Sequence, residues 1–228
     1  MSDLTGKVVL VTGAKGGLGS FVTEGLLRAG ATVIGVSRSI QQSDFAQQRF
    51  HAIPAELTNA EAARKLVADA LGQFQAVDAL VHVMGAFGGG QRVDETEDAL
   101  MDRMFDLNFR SAFYMMSAVL PHMRERGRGS ISVVASRQGV EPGAMVGAYS
   151  ASKAAVVALV KTVALENKDR GISANTVLPG TMDTPANRDG DRSKFVQPLQ
   201  VAAVLIHLVS DEGSQITGAA IPVYGLQL

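Results

Sequence analysis

Residues 7–20, "KVVLVTGAKGGLGS", decide the fold of this chain. They begin with an unbroken apolar run, which is typical of a strand covered on both faces of a parallel sheet. Gly13, Gly17 and Gly19 follow in the pattern TGxxxGxG. The apolar periodicity of 19–30 then predicts a helix. Because glycines allow close backbone approach and a helix N-terminus offers free N–H groups to a phosphate, a bound dinucleotide is predicted here; the alternative is a purely structural turn.

Predicted strands and helices alternate along almost the whole chain, which implies parallel pairing with right-handed crossovers. The predicted fold class is therefore α/β, a Rossmann-type doubly wound parallel sheet of about seven strands, with helices on both faces in three αβα layers. Without a linker or an internal repeat, residues 1–228 are expected to form a single domain. The predicted strands are 7–13, 31–38, 49–57, 77–85, 129–136, 171–180 and 219–225, and the predicted helices are 19–30, 59–74, 96–125, 147–168 and 198–209.

The composition excludes several classes of function. With 21 basic and 22 acidic residues among 228, the chain lacks the basic footprint of a nucleic-acid-binding protein. It has no cysteine, which rules out disulfides, thiolate metal sites and a cysteine nucleophile, and its four histidines lack metal-ligand spacing. No apolar run approaches the roughly 20 residues of a membrane span. A cytoplasmic protein with no nucleic-acid, membrane or metal partner is expected.

The end of the second predicted strand, "GVSRS", bears on the choice of cofactor. An NAD site usually offers a carboxylate here to the ribose 2′-hydroxyl. Ser37 occupies that position and Arg38 follows, and a guanidinium pairs with phosphate through a fork of donors. Lys15 in the glycine turn would add a second positive charge. NADP(H) is therefore favoured over NAD(H); the alternative is that Arg38 and Lys15 are merely solvated.

The stretch "AYSASKAAV", 148–156, places Tyr149 four positions before Lys153, on one face of a predicted helix. A phenol titrates near 10 and is a poor acid or base at pH 7. An ammonium at about 4 Å stabilises a phenolate by up to about 4 kcal/mol at an effective dielectric of about 20, which would lower the pKa of Tyr149. Tyr149 could then exchange a proton with an alkoxide, although an ordinary surface pair is the alternative.

The glycine turn, Asn108, Ser136 and the Tyr149–Lys153 pair stand in an order that resembles the short-chain dehydrogenase/reductase family across nearly the whole chain. The resemblance implies an NADPH-dependent carbonyl reductase, or an alcohol dehydrogenase in reverse. Tyr149 would be the acid/base, and Lys153 would lower its pKa and hold the nicotinamide ribose. Ser136 would orient the carbonyl, and Asn108 would anchor a water relay.

The same resemblance implies a cofactor site, a small-molecule carbonyl or alcohol substrate, and a homodimer or homotetramer. The cofactor site would draw on the glycine turn, the ends of the strands and the loop after the sixth strand. Its members would be Gly13, Lys15, Gly17, Leu18, Gly19, Ser37, Arg38, Glu56, Leu57, Gly85, Tyr149, Lys153, Pro179, Gly180 and Thr184.

One segment departs from the family, and two functional alternatives stay open. The family usually has Asn-Asn-Ala-Gly where this chain has "HVMG", 82–85, and His82 is predicted to be a core histidine rather than a proton shuttle. "HVMGAFGGG" and "LPGTMDTPANR" resemble dihydropteridine reductases, which is the substrate alternative. A non-catalytic dinucleotide sensor is the alternative of another class. Arg188 or Arg192 could meet an acidic substrate, but exposed loop charges are favoured.

Overall fold

The computed structural model describes residues 2–187 and 191–226, and its centre is a parallel sheet. Seven strands are described, all paired in parallel, in the order β3-β2-β1-β4-β5-β6-β7. The predicted doubly wound sheet is therefore confirmed. The strands are β1 Val8–Thr12, β2 Thr32–Ser37, β3 Phe50–Pro54, β4 Ala79–His82, β5 Gly129–Val134, β6 Ile172–Pro179 and β7 Ala220–Val223.

Helices cover both faces of the sheet and complete the three layers. Alternate residues of β1 point to opposite faces, so Leu10 packs with α2, α4 and α5, while Val9 and Val11 pack with α1 and α6. The two apolar clusters explain why the strands read as continuous apolar runs. The helices are α1 Gly19–Arg28, α2 Ala60–Phe74, α3 Asp98–Met104, α4 Ser111–Arg126, α5 Gly147–Asn167 and α6 Pro198–Val209.

The structure corrects one predicted helix. The stretch 96–125 is not a continuous α-helix, because a π-helical segment, Phe105–Arg110, separates α3 from α4. Wider turns of this kind are rare and tend to occur at functional sites. Asn108 lies in this π segment with only 1% of its surface exposed, so the altered winding directs a buried amide inward.

The sheet topology positions a crevice between β1 and β4. The strand order reverses its direction there, and in doubly wound folds ligands bind at such a point, beyond the carboxyl ends of the strands. Thr12 pairs with His82 in the last register position of these two strands. A Cβ added at Gly13 would lie 2.9 Å from the Met84 amide nitrogen. The two chain segments that leave the strands are therefore in direct contact.

α5 is a long apolar helix that is partly buried in the core. Among the described residues it alone has the length and mean hydropathy, 1.3, that a membrane-crossing helix needs. A helix at the core of a folded domain passes the same test, and 44% of that apolar window is buried inside this fold. Val156 and Val160 of α5 belong to the core on the α2 and α4 side of the sheet.

Candidate functional site

Asn108 braces the chain that leaves β4. Its side-chain oxygen accepts a hydrogen bond from the Ala86 amide at 2.8 Å, and its side-chain nitrogen donates to the Ala86 carbonyl at 3.1 Å. The same nitrogen lies 3.0 Å from the Ser152 hydroxyl, which in turn donates to the Tyr149 carbonyl at 2.7 Å. One buried amide thus connects the π segment, the end of β4 and the first turns of α5.

Lys153 is buried beside this amide. Its ammonium donates to the Val134 carbonyl at the end of β5, at 2.9 Å, and only 5% of the residue is exposed. Burial lowers the pKa of Lys153 from 10.5 to about 8. A Cβ added at Gly85 would lie 2.8 Å from the Asn108 amide oxygen and 3.1 Å from the Lys153 ammonium. Glycine at Gly85 therefore leaves room for the Asn108 amide and the Lys153 ammonium, which an added side chain would displace.

Ser136 follows β5 and meets the side chain of Tyr149. The Ser136 hydroxyl lies close enough to the Tyr149 phenol to act on it, and its hydrogen-bonding influence lowers the pKa of the phenol. Ser136 is 8% exposed, and its hydroxyl also accepts a hydrogen bond from the Gln138 amide at 3.2 Å. The hydroxyl is thus fixed beside the phenol, with both side chains at the carboxyl edge of the sheet.

The structure differs from the sequence-based expectation on the pKa of Tyr149. Burial raises that pKa above its usual value of 10.0 and outweighs the influence of Ser136. The Lys153 ammonium points to Val134 on β5 and has no part in the shift. The predicted lowering by Lys153 is therefore wrong for this structure, and Tyr149 holds its proton at neutral pH.

His82 is a core histidine, as predicted. It is fully buried, with Nδ1 2.9 Å from the Thr12 hydroxyl and Nε2 3.2 Å from the Ser111 hydroxyl. Burial, followed by the nearby charge of Lys153, lowers the pKa of His82 from 6.5 to about 3. The ring is therefore neutral across the physiological range and links β1 to the first residue of α4.

The glycine turn leaves the N-terminus of α1 open. α1 has no side-chain N-cap, and in its first turn the Ser20 amide donates to the Gly16 carbonyl at 3.0 Å. A Cβ at Gly19 would lie 1.9 Å from the Gly13 carbonyl, and one at Gly17 would lie 3.1 Å from the Thr184 side chain. Leu18 is buried in the core behind the turn. The turn is thus tightly wound and lies under the loop that carries Thr184.

The residues predicted to bind the adenosine half of the cofactor differ in burial and in their polar contacts. The Ser37 hydroxyl at the end of β2 is buried and has no hydrogen-bond partner among the described residues. Arg38 is exposed and forms no ion pair within the described part of the chain. Lys15, which was expected to add a second positive charge, forms an ion pair with Asp44 at 2.8 Å. Glu56, after β3, is exposed.

Leu57 differs from the other members of the predicted cofactor set. It is 3% exposed and packs in the core on the α2 side, so its side chain cannot line the crevice. Any contact with a cofactor would have to come from its backbone.

The end of β6 provides the other side of the crevice. Pro179 is the last residue of β6, the Gly180 amide donates to the Val223 carbonyl at 3.0 Å, and Thr184 is 8% exposed. Arg192 pairs with Asp183, and these two residues with Thr184 and Pro185 line a cavity of about 350 Å³. Arg188 lies outside the described residues. Within the described ranges, no group of three or more histidine or acidic side chains could hold a metal.

The structure reveals two residues that the sequence analysis did not single out. Ser152 bridges Asn108 to α5, and the Phe87 ring packs edge-on against Tyr149 with their centroids 5.0 Å apart. Ser152 directly precedes Lys153, which is a weak signal that sequence reasoning could have used. Phe87 stands in a glycine-rich loop and has no sequence signal, since its contact depends on how that loop folds.

A dinucleotide crevice with a fixed serine–tyrosine pair and a buried lysine defines an oxidoreductase of the short-chain dehydrogenase type. The family model described as short chain dehydrogenase matches residues 7–194. The chain therefore belongs to the short-chain dehydrogenase/reductase family, whose members generally bind NAD(P).

Known proteins are similar over almost the full chain. The short-chain dehydrogenase/reductase cdmF of Talaromyces verruculosus is 32% identical over 98% of this chain and 97% of its own length. Dehydrogenase/reductase SDR family member 4 of Oryctolagus cuniculus is 31% identical over 97% and 94% of the two chains.

Solved structures are also similar to this chain over almost its full length. The crystal structure of gox2181 superposes with a TM-score of 0.92 at 26% identity, covering 99% of this chain and 97% of that one. A putative short-chain dehydrogenase/reductase from Burkholderia xenovorans gives 0.91 at 28% identity, covering 100% and 98%.

Proposed function

We propose that this oxidoreductase interconverts carbonyl compounds and alcohols with NADP(H) in preference to NAD(H), and that Tyr149 is its acid/base. The observation that carries the proposal is the position of the Ser136 hydroxyl next to the Tyr149 phenol, one turn of α5 from the buried Lys153. A hydroxyl and a phenol held side by side can both reach one substrate oxygen. A protein that only sensed the dinucleotide would have no use for this arrangement.

The residues around the crevice fit a bound dinucleotide. Added Cβ atoms at Gly13 and Gly17 would meet Met84 and Thr184, so only glycine keeps the backbone this close to its neighbours. The turn leads into the N-terminus of α1, which has no side-chain cap and would suit a pyrophosphate. The Ser37 hydroxyl is a buried hydrogen-bonding group without a partner, at the position where the adenosine ribose would lie. In the same proposal Gly180 and Thr184 border the nicotinamide half.

The proposed chemistry divides between cofactor and protein. A bound NADPH supplies a hydride to the carbonyl carbon. The Ser136 hydroxyl orients the carbonyl oxygen, and Tyr149 donates a proton to that oxygen as it becomes an alkoxide. The raised pKa of Tyr149 keeps the phenol protonated at neutral pH, which favours its role as proton donor in the direction of reduction.

Lys153 and Asn108 have supporting roles for the proton donor Tyr149. Lys153, whose pKa is about 8, is able to lose and regain a proton near neutral pH. It can therefore replace the proton that Tyr149 gives up, in keeping with the relay implied by the family. Asn108 fixes the backbone at Ala86 and, through Ser152, the backbone at Tyr149. The end of β4 and the first turn of α5 therefore keep their relative positions.

The proposal is tested by oxidation of NADPH and NADH with a panel of aldehydes, ketones, diketones, quinones and quinonoid dihydropterin. We expect turnover of a carbonyl compound with NADPH and loss of at least about 100-fold in kcat in Tyr149→Phe, with cofactor affinity retained. Tyr114→Phe, which alters a phenol on α4, is the matched control.

Other outcomes would assign another function. Turnover confined to the dihydropterin would place the chain with the dihydropteridine reductases, and cofactor binding without any turnover would favour a sensor. Equal activity of Tyr149→Phe and the unmodified chain would remove Tyr149 from the mechanism.

We further propose that the chain acts in the cytoplasm as a homodimer or homotetramer built on α4 and α5. Phe113 of α4 is 45% exposed and Leu165 of α5 is 65% exposed, so each helix keeps an apolar side chain outside the core. Light scattering of the purified protein tests the assembly, and a mass equal to one chain would contradict it.

A further inference from the structure

Three exposed apolar side chains lie in segments adjacent to Tyr149, and they are called the apolar rim. The rim consists of Phe87 and Val93, in the loop between β4 and α3, and Met145, just before α5. These side chains are 65%, 81% and 44% exposed, respectively. The Phe87 ring lies edge-on to the Tyr149 ring, with 5.0 Å between centroids. Apolar side chains exposed beside a reacting group are typical of a surface that a ligand covers.

Backbone and packing contacts fix the rim in place. The Gly90 amide donates to the Met145 carbonyl at 2.7 Å, which joins the loop to the segment before α5. A Cβ at Gly89 would lie 2.8 Å from Val146 and 3.3 Å from the Phe87 ring, so the loop is closely packed. The exposure of Phe87 is therefore a property of a folded loop.

Met145 has a strained backbone. Its φ is 64°, in the left-handed region that a side chain such as methionine rarely adopts. Strain of this kind persists where the surrounding structure imposes it, and it concentrates at ligand sites. The conformation directs the Met145 carbonyl to Gly90 and leaves the side chain at the rim.

Two described cations next to the site have carboxylate partners. Arg137, which follows Ser136, pairs with Glu141 at 2.7 Å. Arg192 donates to Asp183 at 2.8 Å beside Thr184. Because these cations already have carboxylate partners, they do not favour an anionic substrate over a neutral one.

We propose that the rim binds an uncharged substrate that carries a carbocyclic or aromatic ring next to its carbonyl or carbinol carbon, with the ring against Phe87. The inference rests on the proposed function and names the substrate class of the same site. In reduction, the carbonyl carbon gains the hydride of NADPH, the C=O π electrons move to oxygen, and the Tyr149 proton completes the alcohol. A second protein copy is a poorer occupant, because it would close the path to Tyr149.

The test compares three ketones with NADPH: acetophenone, butanone and the anionic phenylglyoxylate. We expect kcat/KM to be highest for acetophenone. In Phe87→Ala the ratio of kcat/KM for acetophenone to that for butanone should fall about 10- to 100-fold, the range set by losing one apolar contact in a binding site. Leu199→Ala, which truncates an exposed leucine on α6, should leave the ratio unchanged.

Val93→Asp makes the rim polar without touching the Tyr149 ring. It should lower the ratio of kcat/KM for acetophenone to that for butanone at least about fivefold. A Phe87→Ala effect that is equal for both ketones would mean that Phe87 only positions Tyr149, and it would overturn the inference. A change in oligomeric mass in Phe87→Ala would overturn it in favour of a protein partner.

Calorimetry separates failure of the inference from failure of the proposed function. 1-Phenylethanol and 2-butanol are titrated, with NADP⁺, into proteins that also carry Tyr149→Phe, so that the alcohols cannot turn over. Tighter binding of the ring alcohol, lost on adding Phe87→Ala and kept on adding Leu199→Ala, supports the rim even if no ketone turns over. Equal binding of both alcohols would overturn it even if Tyr149-dependent turnover is found.

Discussion

The Nδ1 atom of His82 lies 2.9 Å from the Thr12 hydroxyl, which joins the last residues of β4 and β1 directly below the glycine turn. On the other side of the ring, Nε2 lies 3.2 Å from the Ser111 hydroxyl. That hydroxyl donates to the Leu107 carbonyl, so it accepts from Nε2–H, and Thr12 must donate to Nδ1. His82 thus connects the residue before the glycine turn to Ser111, the first residue after the π segment. It does so where the family usually has an asparagine.

This relationship predicts coupled effects of two substitutions. His82→Leu should lower the free energy of unfolding by about 1 to 3 kcal/mol, because it leaves the buried Thr12 hydroxyl, which also accepts from the Met84 amide, without an acceptor for its own proton. Adding Thr12→Val removes that hydroxyl, so the double variant should be more stable than the sum of the single effects by about 1 kcal/mol. Urea denaturation of the four proteins measures this coupling, and simple additivity would show that the hydrogen bond contributes little.

His82 also predicts acid sensitivity. Its pKa is about 3 when folded and 6.5 as the reference value, so the unfolded chain binds more protons between these values. The stability of the unmodified chain should therefore fall as the pH drops from about 6.5 towards 3, and His82→Leu should lose less over that window. His207→Gln, which changes an exposed histidine of α6, is the control. Parallel stability curves for His82→Leu and the unmodified chain would contradict the assignment.

Lys153 should trade stability for activity. The fall in its pKa from 10.5 to about 8 corresponds to roughly 3 kcal/mol of burial cost at neutral pH. Lys153→Met should abolish most turnover. It should nevertheless raise the free energy of unfolding by about 1 to 2 kcal/mol, because the relief of the burial cost exceeds the loss of the hydrogen bond to Val134. Denaturation and turnover assays measure the two effects.

The sign of the pH dependence is the check on this prediction. A folded pKa below the unfolded value means that the charge penalty is present below pH 8 and disappears as the pH rises to about 10.5. The stability advantage of Lys153→Met should narrow over that window. An advantage that does not change with pH would assign it to packing instead.

Ser152 should act on turnover through position alone. Ser152→Ala removes the bridge between Asn108 and the Tyr149 carbonyl, and we expect kcat to fall about 10-fold with little change in cofactor affinity. Ser152→Thr keeps the hydroxyl and should restore part of the activity. Ser150→Ala, whose buried hydroxyl has no partner among the described residues, is the matched control. Equal losses in Ser152→Ala and Ser150→Ala would contradict the positioning role.

Gly85 should tolerate no side chain. In Gly85→Ala the new methyl would crowd Asn108 at 2.8 Å and Lys153 at 3.1 Å, so turnover should fall at least about 10-fold. Gly72→Ala is the matched control, because nothing lies within 4 Å of an added Cβ in α2 and helix propensity should stabilise it by about 1 kcal/mol. Unchanged turnover in Gly85→Ala would show that the site adapts to the methyl group.

Arg38 should decide the choice of cofactor. Arg38→Asp places a carboxylate after Ser37, and we expect the ratio of NADPH to NADH affinity to fall at least about 10-fold. Arg64→Asp, an exposed substitution on α2, should leave the ratio unchanged. Calorimetric titration with both cofactors measures it, and a constant ratio in Arg38→Asp would leave NADP(H) preference without its proposed cause.

The sequence alone predicted the features that arise from local pattern. Apolar runs and 3.6-residue periodicity repeat along the chain whatever it later contacts, so the seven strands and the glycine turn could be read directly. The order of Asn108, Ser136, Tyr149 and Lys153 identified the family for the same reason. These features depend on neighbours in the chain.

The tertiary structure alone decided which distant groups meet. The π winding around Asn108 has no pattern of its own, and the sequence-based expectation was a continuous helix. The pKa of Tyr149 depends on burial by several elements, which is why spacing to Lys153 predicted the wrong direction. The Phe87–Tyr149 contact joins residues far apart in sequence. A local pattern can predict that a strand is buried, but which distant side chains meet there, and how strongly they shift a pKa, is set by how the elements pack.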